Sequence, residues 1–451
     1  GAEPCVQAVP DEYAFDSAFG EGSSISYSGQ VFRHVLIDDM NNHLDGMTDR
    51  LDLGEFYPAS GDVQAELEFY LDFDSSIAGT MEHGISLSAD AEQATYDDVS
   101  SGKDLTSKLA GNDTTGQHAD WSTDFLGWDA DDVTTPESLV RHWISVIDEQ
   151  AVDWAAGSVP TDGEGNPVPE VFVTPEGQDL QQLIEKFLRG AVAFSQAADD
   201  YLDGDVDGKG LLASHAAPDN DALYTDLEHN WDEAFGYFGA ARTYPQWTDS
   251  EIKEEGDRDV DGNGTIDLLS EVNWGHSLNA AKRDVGASDE APTDFTAEAW
   301  EGFSMGRSLL SSTAGTDLDD DQHAELTAWA GQAIGAWEKV IAANVVHYIN
   351  DTIGDLGSIG TDDHSFADLA RHWSETKGFA LSLQFNPASA LSDEDFGTLH
   401  DLLGTAPVTA SADSTEVDAY VADLLEARTL LGQAYGFDDA NLGDDDGQNG
   451  W

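Results

Sequence analysis

Cations are what this chain lacks most. It carries 18 Lys+Arg against 90 Asp+Glu in 451 residues, a formal net charge of -72. So few cations form no basic stripe to neutralise phosphates, which excludes nucleic-acid binding, and an anionic membrane surface would repel the chain. Cysteine is nearly absent: Cys5 stands alone, so no intrachain disulfide can form. Glu3-Pro4 before Cys5 makes a poor lipobox, and Cys5 is not read as lipidated. There is no run of about 18 apolar residues, so no membrane-spanning segment is expected. Gly1-Ala2-Glu3-Pro4 shows neither a basic n-region nor an apolar h-region, so an exported protein would already have lost its signal. Neither G-x-x-x-x-G-K-[ST] nor G-x-G-x-x-G occurs, and nucleotide chemistry has no support.

What is present is enough for a core. Hydrophobic residues make up 40%, with 12 Trp, 19 Phe and 12 Tyr, whereas a disordered acidic chain is poor in aromatics. The self-repulsion of the carboxylates must be screened by salt or by bound cations. Two settings fit, a saline habitat or a medium that supplies divalent cations; the former is the expected source of the bulk acidity, and specific calcium sites of a smaller, local share.

Helical periodicity dominates the apolar pattern. Val31-Phe32, Val35-Leu36 and Met40 recur at helical spacing, as do Leu139, Trp143, Ile144, Ile147 and Ala151, and Leu180, Leu183-Ile184, Phe187-Leu188 and Ala191. Leu326, Trp329, Ala333, Trp337, Val340-Ile341 and Val345 extend it over a long stretch. Thr135-Pro136-Glu137 and Ser392-Asp393-Glu394-Asp395 read as helix starts. Gly84–Leu87 and Val168–Val173 are the best strand candidates, both short. The fold class predicted is all-α, a large helical bundle with an irregular insertion at about 75–135. Residues 1–24 read as an N-terminal extension, 25–438 as the helical domain and 439–451 as an acidic tail. One bundle is favoured; halves of about 25–245 and 265–438 are the alternative division.

The most specific local motif is Asp259-Val-Asp261-Gly-Asn263-Gly264-Thr265-Ile266-Asp267, which fits the calcium-loop template D-x-D-x-N-G-x-I-D. Asp259, Asp261 and Asn263 supply oxygens at positions one, three and five, Thr265 a carbonyl at seven, and Asp267 stands at nine. The template's bidentate Glu at position twelve is replaced by Ser270; Glu271, one residue late, is the substitute. The loop is therefore EF-like, and structural calcium is expected there, fixing the loop ahead of a helix starting near 267.

A second constellation is His229, Asp232 and Glu233, with the imidazole one helical turn from the carboxylates, a usual way for a bundle to hold iron or zinc. The plainer reading of the same residues is a surface pair or a satisfied core histidine. His276 and His347 are candidates for a partner remote in sequence, and a packed, hydrogen-bonded histidine is the plainer reading there too. Gly302-Phe-Ser304-Met-Gly306 matches the nucleophile elbow, but the motif needs a preceding strand and the pattern here is helical, so a serine hydrolase is not indicated.

Four strings together carry a resemblance: Tyr27-Ser28-Gly29-Gln30, the run from His229-Asn230-Trp231-Asp232-Glu233 to Gly239, the run from Asn273-Trp274-Gly275-His276 to Asp284, and the run from Lys377-Gly378-Phe379 to Pro387. The chain resembles an imelysin-related family of exported bacterial proteins of unknown function over roughly residues 25–435. The resemblance implies an all-helical exported protein, periplasmic, secreted or a cell-surface lipoprotein, associated with iron uptake. Imelysins carry G-x-H-x-x-E; here Leu227 stands where the glycine would be, and Asp232 where the Glu would be. The expected function is non-enzymatic metal handling, of a metal ion or a metal-bearing ligand, with a cell-surface or outer-membrane protein as partner. A metal-dependent hydrolase using Glu233 as general base, and a surface structural or interaction protein, are the alternatives.

Overall fold

The computed structural model describes residues 8–117 and 119–451; Cys5 lies outside the described residues. Among the described residues there is no strand, only isolated bridges, and the fold is all-α. The principal helices are α1 (Ser28–Asp45), α2 (Asp62–Leu71), α3 (Pro136–Ala155), α4 (Leu180–Leu188), α5 (Asp226–Phe238), α6 (Asp249–Glu255), α7 (Gly275–Val285), α8 (Phe295–Thr313), α9 (Asp320–Gly357), α10 (Phe366–Ser382), α11 (Asp393–Leu403) and α12 (Ser414–Tyr435).

Local chemistry fixes where these helices begin. The Thr135 hydroxyl accepts from Ser138 N, and Pro136, whose missing N–H costs nothing at a first turn, opens α3. Asp319 accepts from Gln322 N and, with Gln322 returning the bond, caps α9. α9 has 38 residues, which at 1.5 Å per residue makes it about 57 Å long. It is the spine of the bundle, packing against α7, α8, α10 and α12. Its buried residues, among them Ala333, Trp337, Val340, Ile341 and Val345, contact neighbours on several sides. The chain beyond α4 continues in wider, π-helical turns at Arg189–Phe194 and Ala197–Tyr201.

The two strand candidates do not form strands. Around 168–173, side chains take the backbone bonds that a ladder would have made. Gln150 Nε2 donates to the Val171 and Val173 carbonyls, and Val171 N donates to Thr48 Oγ1. Ser304 lies inside α8, fully buried, with Oγ donating to the Trp300 carbonyl, so the apparent elbow is helix. Gly306 on that helix permits close packing, since a Cβ there would sit 2.0 Å from the Trp231 ring.

The interior is not purely apolar. Arg307, fully buried on α8, donates from Nη1 to Glu228 and from Nε to Asp232, each at 2.8 Å, and from Nη2 to Ser24 Oγ at 2.6 Å. The Tyr13 hydroxyl donates to Asp232 at 2.8 Å. This cluster joins the N-terminal segment, α5 and α8. Replacing Arg307 by Met would strand two buried carboxylates, a loss of about 3–5 kcal/mol. Urea unfolding of R307M at neutral pH should show that loss with the folded-state spectrum unchanged.

A second buried network joins α1 and α4. Arg189 bonds Glu185 and Asp38, and Lys186 bonds Glu185 at 2.7 Å. Burial raises the Glu185 carboxyl, but the Lys186 and Arg189 charges outweigh it and hold the group at about 2. A depressed folded-state value stabilises above the ordinary carboxylate range, and the contribution is lost as pH falls towards about 2. Between pH about 4.5 and 2, Glu185→Gln should therefore lose less stability than the parent, measured by denaturant midpoints across that window.

Candidate cation centre

The acidic loop lies between α6 and α7, and its ends are pinned by an antiparallel bridge between Asp257 and Val272. The expected helix near 267 is not there: the chain makes one turn, with Ser270 N and Glu271 N donating to the Asp267 carbonyl at 3.2 and 2.9 Å, and α7 begins only at Gly275. That turn brings Glu271 back over the loop. Glu271 Oε1 accepts from Val260 N and Asp261 N at 2.7 and 3.2 Å, and Oε2 accepts from Asp267 N at 2.8 Å. Asp259 accepts from the backbone of Gly262, Asn263 and Gly264, with Gly262 and Gly264 in the left-handed region at φ of 74° and 93°.

The consequence is convergence. Among the described residues, Asp259, Asp261 and Glu271 are the only three His, Cys, Asp or Glu side chains whose ligand atoms all lie within 4.8 Å of one another. Glu271 is buried and Asp261 exposed, so the group is open on one side. Such an all-oxygen set suits a hard cation. Of the other expected ligands, Asn263 Oδ1 accepts from Thr265 N and Oγ1. Asp267 lies outside the converging group, its oxygens taken by Leu269 N, Gln93 Nε2 and the Ser270 hydroxyl.

One participant escaped the sequence reading. Glu92, from the irregular 75–135 stretch, accepts at Oε1 from Asn263 Nδ2 at 2.6 Å and Thr265 Oγ1 at 3.2 Å. Ile266, at the loop's position eight, forms a parallel bridge with Ala91; Glu92 N donates to the Ile266 carbonyl and Ile266 N to that of Asp90, both at 2.9 Å. Gln93 seals the contact from its side chain to Leu268 N. Nothing near position 92 in the sequence signals this pairing across more than 170 residues.

The histidine constellation is arranged differently. Asp232 faces inward onto Arg307, Tyr13 and Ser26 N. His229 stands partly exposed, with Nδ1 donating to the Ser26 carbonyl at 3.0 Å and its ring stacked on Tyr224. Its Nε2 is 3.7 Å from Glu233, whose Oε1 also accepts from Gln30. His276 is buried beside Trp337 and Phe379, Nε2 has no partner, and burial holds the imidazole well below its usual range. His347 Nε2 lies 3.3 Å from Asp351; burial, followed by the Arg283 charge, lowers its pKa to about 3. Among the described residues, none of these histidines belongs to a converging group of three ligands.

The family described as a domain of unknown function, DUF4856, matches residues 10–272, a stretch that contains the whole acidic loop and Glu92. No curated protein and no solved structure matches the chain.

Because Glu271 satisfies three backbone N–H groups irrespective of any ion, Glu271→Ala should cost about 1–3 kcal/mol even in chelator. Unfolding in excess EDTA separates this loss from any effect of cation binding.

Proposed function

The chain belongs to this family of domains of unknown function, and on that premise we propose that it is a non-enzymatic, exported, calcium-binding helical protein whose loop 259–271 is a structural cation centre. The observation that carries the reading is the convergence of Asp259, Asp261 and Glu271 in a loop that already follows the D-x-D-x-N-G-x-I-D pattern. Backbone N–H groups orient Asp259 and Glu271, so their remaining lone pairs are pre-set for an ion. Calcium accepts six to eight oxygens in flexible geometry, which suits a loop mixing carboxylates, an amide and backbone carbonyls better than the strict octahedron of magnesium does.

The ion's work is mechanical. Asp259 and Asp261 follow α6, Glu271 precedes α7, and Glu92 arrives from the insertion. A divalent charge at their meeting point offsets carboxylate repulsion and fastens the 88–93 arm to the α6–α7 connection. Export to the periplasm or cell surface, kinship to imelysins and a part in iron handling are carried into this proposal from the sequence resemblance. In that wider role His229 and Glu233 are the pair supporting a transition metal, being partly exposed and on one face of α5. Asp232 is withdrawn from it by Arg307.

Calcium at about one hundred times its dissociation constant should stabilise the fold by about 2.7 kcal/mol, read as a rise in melting temperature at low ionic strength. Asp261→Ala should abolish the rise while folding normally in chelator, since Asp261 is exposed. An unchanged melting temperature for the parent protein on adding calcium would overturn the assignment.

A further inference from the structure

Among the described residues, Arg283 is a buried cation with no hydrogen-bond or ion-pair partner. It sits in the last turn of α7 with 6% of its surface exposed. Its Nε and Nη1 are buried and make no hydrogen bond, and Nη2 makes none with any described residue. No carboxylate of the described residues approaches it within 4.0 Å. The placement near a helix C-terminus lets the charge interact with the helix dipole, but supplies no acceptor for the guanidinium's five N–H donors. Leaving such donors buried and unpaired is costly, and in a chain with 90 carboxylates a partner would have been easy to provide.

The surroundings add a second cation. Lys282, half-buried beside it, makes no ion pair with a described residue, and burial lowers its pKa. On α9, His347 is engaged by Asp351 and by the Trp451 backbone, and Trp451 Nε1 donates to the Arg283 carbonyl at 3.0 Å. Tyr348 and Asp351 of α9 and Glu375 of α10 are the other charged or ionisable groups that act on Arg283. Two of these are already engaged, Asp351 with His347 Nε2 and Glu375 with the Tyr348 hydroxyl and, at 3.7 Å, Lys186. His347 and Asp351 are partly exposed, with 25% and 34% of their side-chain surfaces in solvent, so solvent reaches the cluster on their side.

We propose that Arg283, assisted by Lys282, binds the oxyanion group of a small solute, a carboxylate or phosphate, through the free Nε–Nη2 edge of its guanidinium. That edge matches two oxygens of a planar or tetrahedral oxyanion. The site is separate from the acidic loop, and its test does not depend on calcium.

The experiment titrates the full chain with inorganic phosphate and, in parallel, with acetate, by calorimetry at constant ionic strength. One equivalent of at least one anion should bind, and the pair of titrations tells which oxyanion is preferred. Arg283→Gln should weaken binding at least about tenfold, and Arg283→Lys, which keeps the charge without the fork, should restore only part of it. Equal affinity in parent and R283Q, or no binding of either anion because ordered water serves the guanidinium, would overturn the proposal. If R283Q does not fold, the parent protein still decides. Phosphate or acetate should shift an arginine Nε–H resonance, and Lys282→Gln, at a half-buried position, should weaken that response; an Nε–H spectrum unmoved by both anions would overturn the proposal equally.

Discussion

The structure depends on how a chain with 90 acids uses 18 bases. Six of the 18 are buried: Arg33, Arg189, Arg283, Arg307, Lys377 and Arg428. Arg307 illustrates why. At the surface, one cation among dozens of carboxylates would be screened and would contribute little. In the interior it decides which segments meet, because Glu228 and Asp232 of α5 and Ser24 of the N-terminal segment all require the same guanidinium. A buried ion cluster is weak as a source of net stability against an apolar alternative, but it penalises every arrangement that leaves one member alone. The outer face is left strongly acidic and must be screened by the solvent or by bound cations.

The same scarcity gives the acidic loop its form. With few bases available, the loop's carboxylates are held by backbone N–H groups: three on Asp259 and three on Glu271. Backbone donors orient a carboxylate without neutralising it. The loop is thus ordered and still strongly negative, a different condition from a solvated acidic turn. Glu92 adds a further acid from a distant segment, and the bridge at Ile266 keeps it there.

Much of the helical framework is legible in the sequence, because its signals are local. Thr135-Pro136, Asp319 and Ser392 cap helices that begin where those residues stand, and the apolar spacing from Leu326 to Val345 lies within one long helix. The candidate site is legible only in part. Asp259 and Asp261 declare themselves by spacing, and Glu271 by its nearness to the missing twelfth position. Glu92 does not, since its role arises from a bridge between remote segments. Asp232 is misleading in the opposite sense. Its position one turn from His229 resembles a ligand set, but spacing along α5 does not reveal that Arg307 on α8 lies behind it. The strand-like run at 168–173 fails for a related reason: alternation describes a face, and a strand also needs a neighbour, which Gln150 and Thr48 here replace.

Arg283 is the exception to the way buried cations are handled elsewhere in the molecule. Arg307 is saturated by carboxylates and a hydroxyl, Arg33 donates to the Asp104 and Gly29 carbonyls, and Arg428 to Asn350 and the Asp444 carbonyl. Each of these guanidiniums has acceptors drawn from the chain itself. Such consistency makes an unaccompanied guanidinium on α7 meaningful: the fold elsewhere matches its few cations to acceptors, including bare carbonyls where no carboxylate is near. An acceptor missing among the described residues at one such position is what the proposed oxyanion would supply. The fold then presents two poles of opposite character, an acidic loop before α7 and an unpaired cation at that helix's far end, eleven residues of helix apart at most.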